Sequence, residues 1–218
     1  MADELRRRRW DLAVLGAAGL GLGAAAGRLD RWELLVAEAL VVTVFACAHS
    51  LRGVSEDRPA APVGPALWLT WLAVAGMLVV VGILGTVLGR QGSGHLLSRC
   101  ILLAWAVGVS SAAEVAGRRF GPGPLALAVV SLPALACFLA PLLGSPFFPT
   151  GAGLALLASP VVSAGRALGI EVAVRPPLYE LSSLGVVEFR YPPPHAHPIL
   201  ALILATGFIG RARAGGPT

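Results

Sequence analysis

Long apolar runs without charge are the feature that most limits the folds open to this chain. The longest, Ala66–Gly89, has 24 residues and contains no charged side chain. About 20 apolar residues are enough for a helix to cross a bilayer. Backbone N–H and C=O groups in lipid need partners within the same structure, and a helix supplies them. We therefore predict an all-α fold, a polytopic bundle of transmembrane helices.

The spans of this bundle are predicted from seven apolar segments. Thr150–Gly169 contains Pro160 and Arg166, so we expect it to be re-entrant or interfacial and not to cross the membrane. The other segments give about six spans, with five and seven as alternatives. The seven segments are Leu12–Gly27, Leu34–Ser50, Ala66–Gly89, Leu96–Gly117, Pro124–Gly144, Thr150–Gly169 and Pro198–Gly210.

The small number of charges excludes several classes of protein. Only 13% of the 218 residues are charged, against about a quarter in soluble domains. This composition argues against a soluble enzyme and against a nucleic-acid partner, and it makes the lipid bilayer the main environment. The net charge is +5 and the chain contains no lysine. Because Arg6–Arg9 precede the first span, we predict a cytoplasmic N-terminus and a multi-pass protein of the inner (cytoplasmic) membrane.

The domain organisation is predicted to be simple. Residues 1–218 form a single integral membrane domain, and residues 1–11 form its basic cytoplasmic N-terminus. Residues 170–197 are the only long stretch of mixed polarity, and three consecutive prolines lie near its end. We expect a long interfacial or extracytoplasmic loop there. The first apolar segment also resembles a secretory signal peptide, but the spans that follow favour an uncleaved first helix.

Three ionisable side chains are predicted to lie inside the membrane, where they are costly and often functional. Glu38 lies in the second candidate span. His49 follows eleven positions later on nearly the same helical face, so the two form a polar track about 16 Å long. The alternative is that Glu38 lies near the interface or is neutral and hydrogen-bonded. Glu114 has Arg118 at i+4, which favours a salt bridge on one helix, and Arg99 is expected to reach the headgroups.

His195 and His197 are the candidate metal ligands. They form an H-x-H pair before the last apolar segment, and Glu188 and Tyr191 lie near them in sequence. Zinc sites need three or four ligands, so the alternative is a polar loop at the membrane boundary. The chain contains no P-loop or dinucleotide motif and no C-x-x-C pair. We predict no cofactor.

Glycines four residues apart mark a predicted packing surface. Gly19, Gly23 and Gly27 lie on one face of the first candidate span. Such a face lets another helix approach closely. The partner is expected to be another membrane helix or a second copy of the chain in a homodimer.

The region Ile101–Arg213 resembles the membrane subunit of an ABC-2-type exporter. The likeness rests on Gly117-Arg118-Arg119 at the end of a serine-containing span, on Leu157-Ala158-Ser159-Pro160, and on the closing Ile199–Arg213. It implies six spans, a re-entrant segment before the last span, and a separate cytoplasmic ATPase subunit. Members of that family couple to the ATPase through a segment between spans two and three. Here Leu51–Pro65 is short and proline-rich and lacks the extended coupling segment.

A second likeness is to rhomboid-type intramembrane proteases. His95-Leu96-Leu97 opens a span that carries Glu114 and Gly117 toward its end, and the run from His197 is similar to the last helix of that family. The Gly-x-Ser-Gly nucleophile motif is missing, because its best-placed counterpart is Gly151-Ala152-Gly153-Leu154. This likeness implies a relative without the catalytic serine. We therefore predict a non-catalytic, permease-like subunit of a multi-component transporter, with a structural subunit of a membrane complex as the alternative.

Overall fold

The computed structural model describes residues 9–25, 28–52, 65–87, 94–139, 156–171 and 193–214. Within these residues, the regular secondary structure is helical. This confirms the predicted all-α bundle. Gly27, Glu188, Tyr191, Arg6–Arg8 and most of the 170–197 loop lie outside the described residues.

Seven helices position the side chains discussed below. Their apolar sequences explain why they form, because a helix satisfies its own backbone groups. In chain order the helices are α1 (Arg9–Ala25), α2 (Arg31–Arg52), α3 (Pro65–Val87), α4 (His95–Phe120), α5 (Pro124–Leu139), α6 (Pro160–Ala167) and α7 (Ala196–Ala214).

Three helices are long and apolar enough to cross a membrane: α2, α3 and α4, over Arg31–Leu51, Leu67–Leu84 and His95–Phe120. The apolar stretches of α1, α5 and α7 are shorter, with 10–17 residues each. At 1.5 Å per residue, 16 residues extend about 24 Å, less than the hydrocarbon thickness of about 30 Å. Length and composition thus support three crossings in the described residues, and the total of about six spans stays a prediction.

Helix α4 lies at the centre of the bundle and contacts α2, α3, α5, α6 and α7. Its buried face combines large side chains such as Ile101 and Leu102 with small ones such as Ala106 and Ala113. Small residues let neighbouring helices approach closely in membrane bundles. This packing surrounds α4 with residues of five other helices.

Helix α1 packs against α3 through the predicted glycine face. A Cβ atom added to Gly19 would lie 3.0 Å from Cγ of Met77, and one added to Gly23 would lie 2.2 Å from Cδ1 of Leu84. Both glycines therefore face α3 within the same chain.

Helix α6 is a short, buried helix of eight residues. Ser159 is its N-cap, Pro160 occupies the first turn, and proline is favoured there because its missing N–H is not needed. The helix ends at Ala167. Two residues later Gly169 has a φ of +71°, and the N–H of Ile170 donates to the carbonyl of Gly165 at 2.9 Å. This is the Schellman arrangement that ends many helices. An eight-residue helix is about 12 Å long, less than the thickness of a bilayer. Residues 150–155 lie outside the described residues, so the re-entrant or interfacial placement of the whole segment stays a prediction.

The end of α6 lies directly against the start of α4. A Cβ atom at Gly94 would lie 1.6 Å from the carbonyl oxygen of Ala167. Only a residue without a Cβ allows this approach of the two backbones.

Candidate functional site

A buried ion pair joins α2 to α4. Glu38 is only 4% exposed, and its Oε1 lies 3.5 Å from Nη2 of Arg99. The Nε–H of Arg99 donates to the carbonyl of Leu78 on α3 at 2.9 Å, and its Nη1 lies 3.3 Å from Nδ1 of His95. A Cβ at Gly82 would lie 3.4 Å from Nε of Arg99, so the glycine leaves room for the guanidinium. Arg99 therefore turns into the bundle toward Glu38, not out to the headgroups as expected.

A second polar contact between α2 and α4 lies about a turn and a half farther along. The Nε1–H of Trp105 donates to Oγ1 of Thr43 at 2.8 Å, and the Thr43 hydroxyl donates to the carbonyl of Ala39 at 2.7 Å. The two contacts occur in the same order along both helices: Glu38 precedes Thr43 on α2, and their partners Arg99 and Trp105 follow in the same order on α4. The two helices are therefore parallel.

A third polar contact lies farther along α2. Nδ1 of His49 lies 2.7 Å from Oγ1 of Thr70 on α3, and the imidazole stacks on Phe45 with ring centroids 4.9 Å apart. Nearby on α3, the Nε1–H of Trp71 donates to Oγ of Ser110 on α4 at 2.8 Å.

We call these three paired contacts the polar column: Glu38–Arg99, Thr43–Trp105 and His49–Thr70. They follow one another along α2 over about 16 Å, the axial distance of eleven helical residues. The structure thus places the two sequence-predicted residues, Glu38 and His49, inside the bundle. It adds Arg99, which was expected at the headgroups, and three residues that sequence reasoning did not single out: Thr43, Thr70 and Trp105. Thr43 and Thr70 are polar residues within apolar spans, so the sequence contained a signal for these two partners.

Glu114 lies at the other end of α4 and forms an ion pair with Arg118 one turn later. This confirms the predicted i,i+4 salt bridge. Glu114 is 7% exposed, but its partner is on its own helix. It is therefore separate from the polar column.

The two candidate metal ligands lie in different environments. His195 is exposed, whereas His197 is 3% exposed. Nδ1–H of His197 donates to the carbonyl of Leu157 at 2.9 Å, and the ring lies against Trp105 with centroids 5.8 Å apart. Among the described residues, no group of three or more His, Cys, Asp or Glu side chains could hold a metal ion. The metal hypothesis stays a prediction that would need ligands such as Glu188, outside those residues.

The remaining ring nitrogen of His197 is the most unusual polar atom of this region. A carbonyl oxygen only accepts hydrogen bonds, so Nδ1 must carry the proton and Nε2 is an acceptor in the neutral ring. Nε2 is buried and has no hydrogen-bond partner among the described residues. Buried polar atoms are nearly always hydrogen-bonded, so this nitrogen needs an explanation.

His197 marks the place where two helices begin at the same level of α4. His197 lies beside Trp105 and is bonded to the carbonyl of Leu157, in the helical turn over residues 156–158 that precedes Ser159. From there α6 runs to Gly94 at the start of α4, while α7 runs the other way. On α7, the carbonyl of Ala201 would lie 3.6 Å from a Cβ at Gly108. The N-termini of α6 and α7 therefore lie near the middle of α4, at what we call the α6–α7 junction: Leu157, Ser159 and His197.

Comparison with known proteins adds no relative: no protein-family model, no curated protein and no solved structure matches the chain. The polar column is thus the feature from which a function is inferred.

Proposed function

We propose that this protein is an integral membrane, permease-like subunit of a multi-component transporter, and that α2, α3 and α4 form part of its translocation pathway. The observation that carries the proposal is the polar column. Ionisable side chains inside membrane helices are costly, and they are typical of substrate and ion pathways. Glu38 and His49 are buried on α2 and Arg99 lies on α4, and both helices are long and apolar enough to cross a membrane.

The chemistry of the column suits stepwise contact with a polar substrate. Along α2, Glu38, Thr43 and His49 are spaced five and six residues apart, which is about 7.5 and 9 Å along the axis. Each is paired with a group on another helix. A polar substrate that displaces these pairs in turn exchanges one hydrogen-bonded partner for another, so it is never left unpaired in a dry interior.

The proposed protein works with partners. The ABC-2 likeness implies a separate cytoplasmic ATPase, and the segment between α2 and α3 where such a subunit would couple lies mostly outside the described residues. We place the protein in the inner (cytoplasmic) membrane with its N-terminus in the cytoplasm, because the Arg6–Arg9 cluster favours that side. Other membrane helices or a second copy of the chain complete the assembly.

Co-purification tests this proposal. The tagged full chain is extracted in a mild detergent, and the attached subunits are identified and assayed for ATP hydrolysis. We expect a further membrane subunit or an ATP-hydrolysing subunit to remain bound. An isolated monomer with no attached subunit would contradict the proposal.

Two variants of α2 separate a pathway from a scaffold. Glu38→Gln removes a column charge, and Glu33→Gln removes an exposed carboxylate that caps Asp30 at the start of the same helix. A pathway subunit loses coupled ATP turnover with Glu38→Gln and keeps it with Glu33→Gln, while both variants retain their partners. Unchanged turnover in both variants would favour the alternative, a structural subunit of a membrane complex.

A further inference from the structure

We propose that one end of the helix bundle binds the headgroups of anionic phospholipids, in the leaflet on the side of the N-terminus. We call this surface the basic end. It comprises the last turns of α2, α4 and α7 and the first turns of α1 and α3. The inference is independent of the transporter proposal, because it depends only on the charges and aromatic side chains at the two ends of the bundle.

The last turns of α2, α4 and α7 share one end of the bundle. Helices α2 and α4 are parallel, as the order of their contacts shows. His197 of α7 lies beside Trp105 of α4. Four residues later on α7, the carbonyl of Ala201 lies beside Gly108 of α4. Because these contacts advance in the same direction along both helices, α7 is also parallel to α4.

The first turns of α1 and α3 lie at this same end. The carbonyl of Leu78 on α3 accepts a hydrogen bond from Arg99, near the start of α4. Trp71, earlier on α3, donates to Ser110, later on α4. Helices α3 and α4 are therefore antiparallel. Helix α1 is parallel to α3, because the two glycines of its packing face meet successive residues of α3 in the same order.

The two ends of the bundle differ in charge. Within the described residues, the basic end has six arginines and two carboxylates, Asp11 and Glu114, whereas the opposite end has four arginines and four carboxylates. Clusters of about four to eight basic residues beside membrane helices are typical of anionic-lipid binding. The arginines of the basic end are Arg9, Arg52, Arg118, Arg119, Arg211 and Arg213. The charged residues of the opposite end are Arg28, Asp30, Arg31, Glu33, Glu38, Arg99, Arg166 and Glu171.

Exposed aromatic side chains also lie at the basic end. Trp10, Trp68 and Phe120 are 71%, 60% and 42% exposed, and no other Trp, Tyr or Phe side chain of the described residues is exposed. Trp10 and Trp68 each lie nine residues before the paired Gly19 and Met77, so the two indoles are at one level. Tryptophan is enriched at the level of the lipid headgroups. The basic end therefore has the side chains of a membrane interface.

Two exposed arginines of the basic end lie over these aromatic rings. Cζ of Arg9 lies 5.7 Å from the ring centroid of Trp10, and Cζ of Arg119 lies 5.6 Å from that of Phe120. These are cation–π distances. A guanidinium group also has N–H donors whose geometry matches phosphate oxygens. Each pair therefore combines a phosphate-binding cation with an apolar ring.

The apolar surface next to the rings favours a lipid over a soluble anion. One turn after Trp10 on α1, Val14 is exposed, and one turn after Trp68 on α3, Leu72 is exposed. These side chains continue the apolar surface from the rings toward the middle of the bundle. An acyl chain can therefore pack below a headgroup that is bound by the arginines. A free phosphate or an acidic protein surface would use the arginines alone.

Lipid titration of the isolated full chain tests the proposal. The purified protein in a neutral maltoside detergent is titrated with phosphatidylglycerol or phosphatidylcholine of the same acyl chains, and native mass spectrometry counts the bound lipids. We expect saturable binding of phosphatidylglycerol, with a lower Kd than for phosphatidylcholine and with a Kd that rises as salt is added. Equal Kd values for the two lipids would overturn the proposal.

Two double variants locate the site. Arg9→Gln/Arg119→Gln removes both arginines that lie over aromatic rings, and the Kd for phosphatidylglycerol should rise about fivefold for each arginine lost. Arg28→Gln/Arg31→Gln removes two exposed arginines of the opposite end and is the matched control, so its Kd should equal that of the wild type. An unchanged Kd in the first variant, or the same increase in both variants, would contradict binding at the basic end.

Two further measurements distinguish lipid from other sources of negative charge. Inorganic phosphate, added at constant ionic strength, should leave phosphatidylglycerol bound, and displacement by phosphate would show a site for a soluble anion. The co-purification described above is repeated with Arg9→Gln/Arg119→Gln. Loss of a partner subunit with unchanged phosphatidylglycerol binding would identify the basic end as a protein-docking surface and overturn the lipid proposal.

Discussion

The two halves of α4 each carry an arginine–carboxylate pair, but the pairs are built differently. In the first half, Arg99 reaches across to Glu38 on α2, and the side chains are 13% and 5% exposed. In the second half, Arg118 pairs with Glu114 one turn earlier on the same helix, and the side chains are 23% and 9% exposed. The first pair joins two helices, whereas the second lies within one helix.

The contacts between helix backbones are also closer in the first half of α4 than in the second. Gly94, at the start of α4, lies so close to Ala167 of α6 that no Cβ fits. Gly108, in the second half, has only ordinary contact with Ala201 of α7. The first half of α4 is therefore the more constrained region, and single substitutions there should cost more.

Loss of Arg99 should have the largest effect. Arg99→Leu leaves Glu38 buried without its partner, and breaking a buried pair from one side costs about 3–5 kcal/mol. The free energy of unfolding, measured by denaturant titration in mixed micelles, should fall by that amount. Arg118→Leu is the matched control and should cost much less. The double variant Glu38→Leu/Arg99→Leu should recover most of the loss, and a cost for Arg99→Leu below that of Arg118→Leu would contradict the comparison.

Gly94→Ala should have the next largest effect. The added Cβ meets a carbonyl oxygen of the backbone, so α6 must move away from α4, and overpacking of this kind costs about 2–3 kcal/mol. The same unfolding titration measures it. Gly108→Ala, on the same helix, adds a methyl group at ordinary contact distance and should change stability little. An equal loss of unfolding free energy for the two variants would show that the close packing of α6 against Gly94 does not contribute to stability.

Thr43→Val should have an intermediate effect. It leaves the indole N–H of Trp105 buried without an acceptor, which costs about 1–2 kcal/mol. Ser111 provides the control, because its hydroxyl donates to the carbonyl of Val107 on its own helix at 2.7 Å. Ser111→Ala should cost a few tenths of a kcal/mol at most. The emission maximum of Trp105, in a variant with the other tryptophans replaced, should shift with Thr43→Val alone.

Glu114→Gln should have the smallest effect. The i,i+4 pair with Arg118 is partly exposed, and such pairs contribute about 0.5 kcal/mol. The unfolding free energy should therefore change little, and added salt should weaken even this difference. A loss as large as that of Arg99→Leu would mean that Glu114 has a partner on another helix.

The sequence alone predicted the structural features that depend on residues close together in the chain. Each apolar segment proposed as a span contains a helix in the structure, since hydropathy and helix periodicity are local properties. In the segment with Pro160 and Arg166, the described residues contain the eight-residue α6, and the predicted re-entrant or interfacial placement of the segment stays a prediction. The Glu114–Arg118 pair was also predictable, because an i,i+4 spacing places both side chains on one face.

The cross-helix part of the site was not predictable in this way. Arg99 lies near the end of an apolar run, so reaching the headgroups was the simplest expectation for it. Its inward turn depends on Glu38, on the carbonyl of Leu78 and on the space left by Gly82, which lie on two other helices. For His195 and His197 the spacing indicated a shared metal ion, but the structure buries only the His197 ring and leaves His195 exposed.

By itself, then, the sequence determined that this protein is a helical membrane bundle and where its helices lie, because the free energy of placing apolar segments in lipid is additive along the chain. Only the tertiary structure decided which polar groups meet. Helix faces pair through the packing of the whole bundle, so the polar column, the tautomer of His197 and the position of two helix N-termini near the middle of α4 come from contacts between residues distant in sequence.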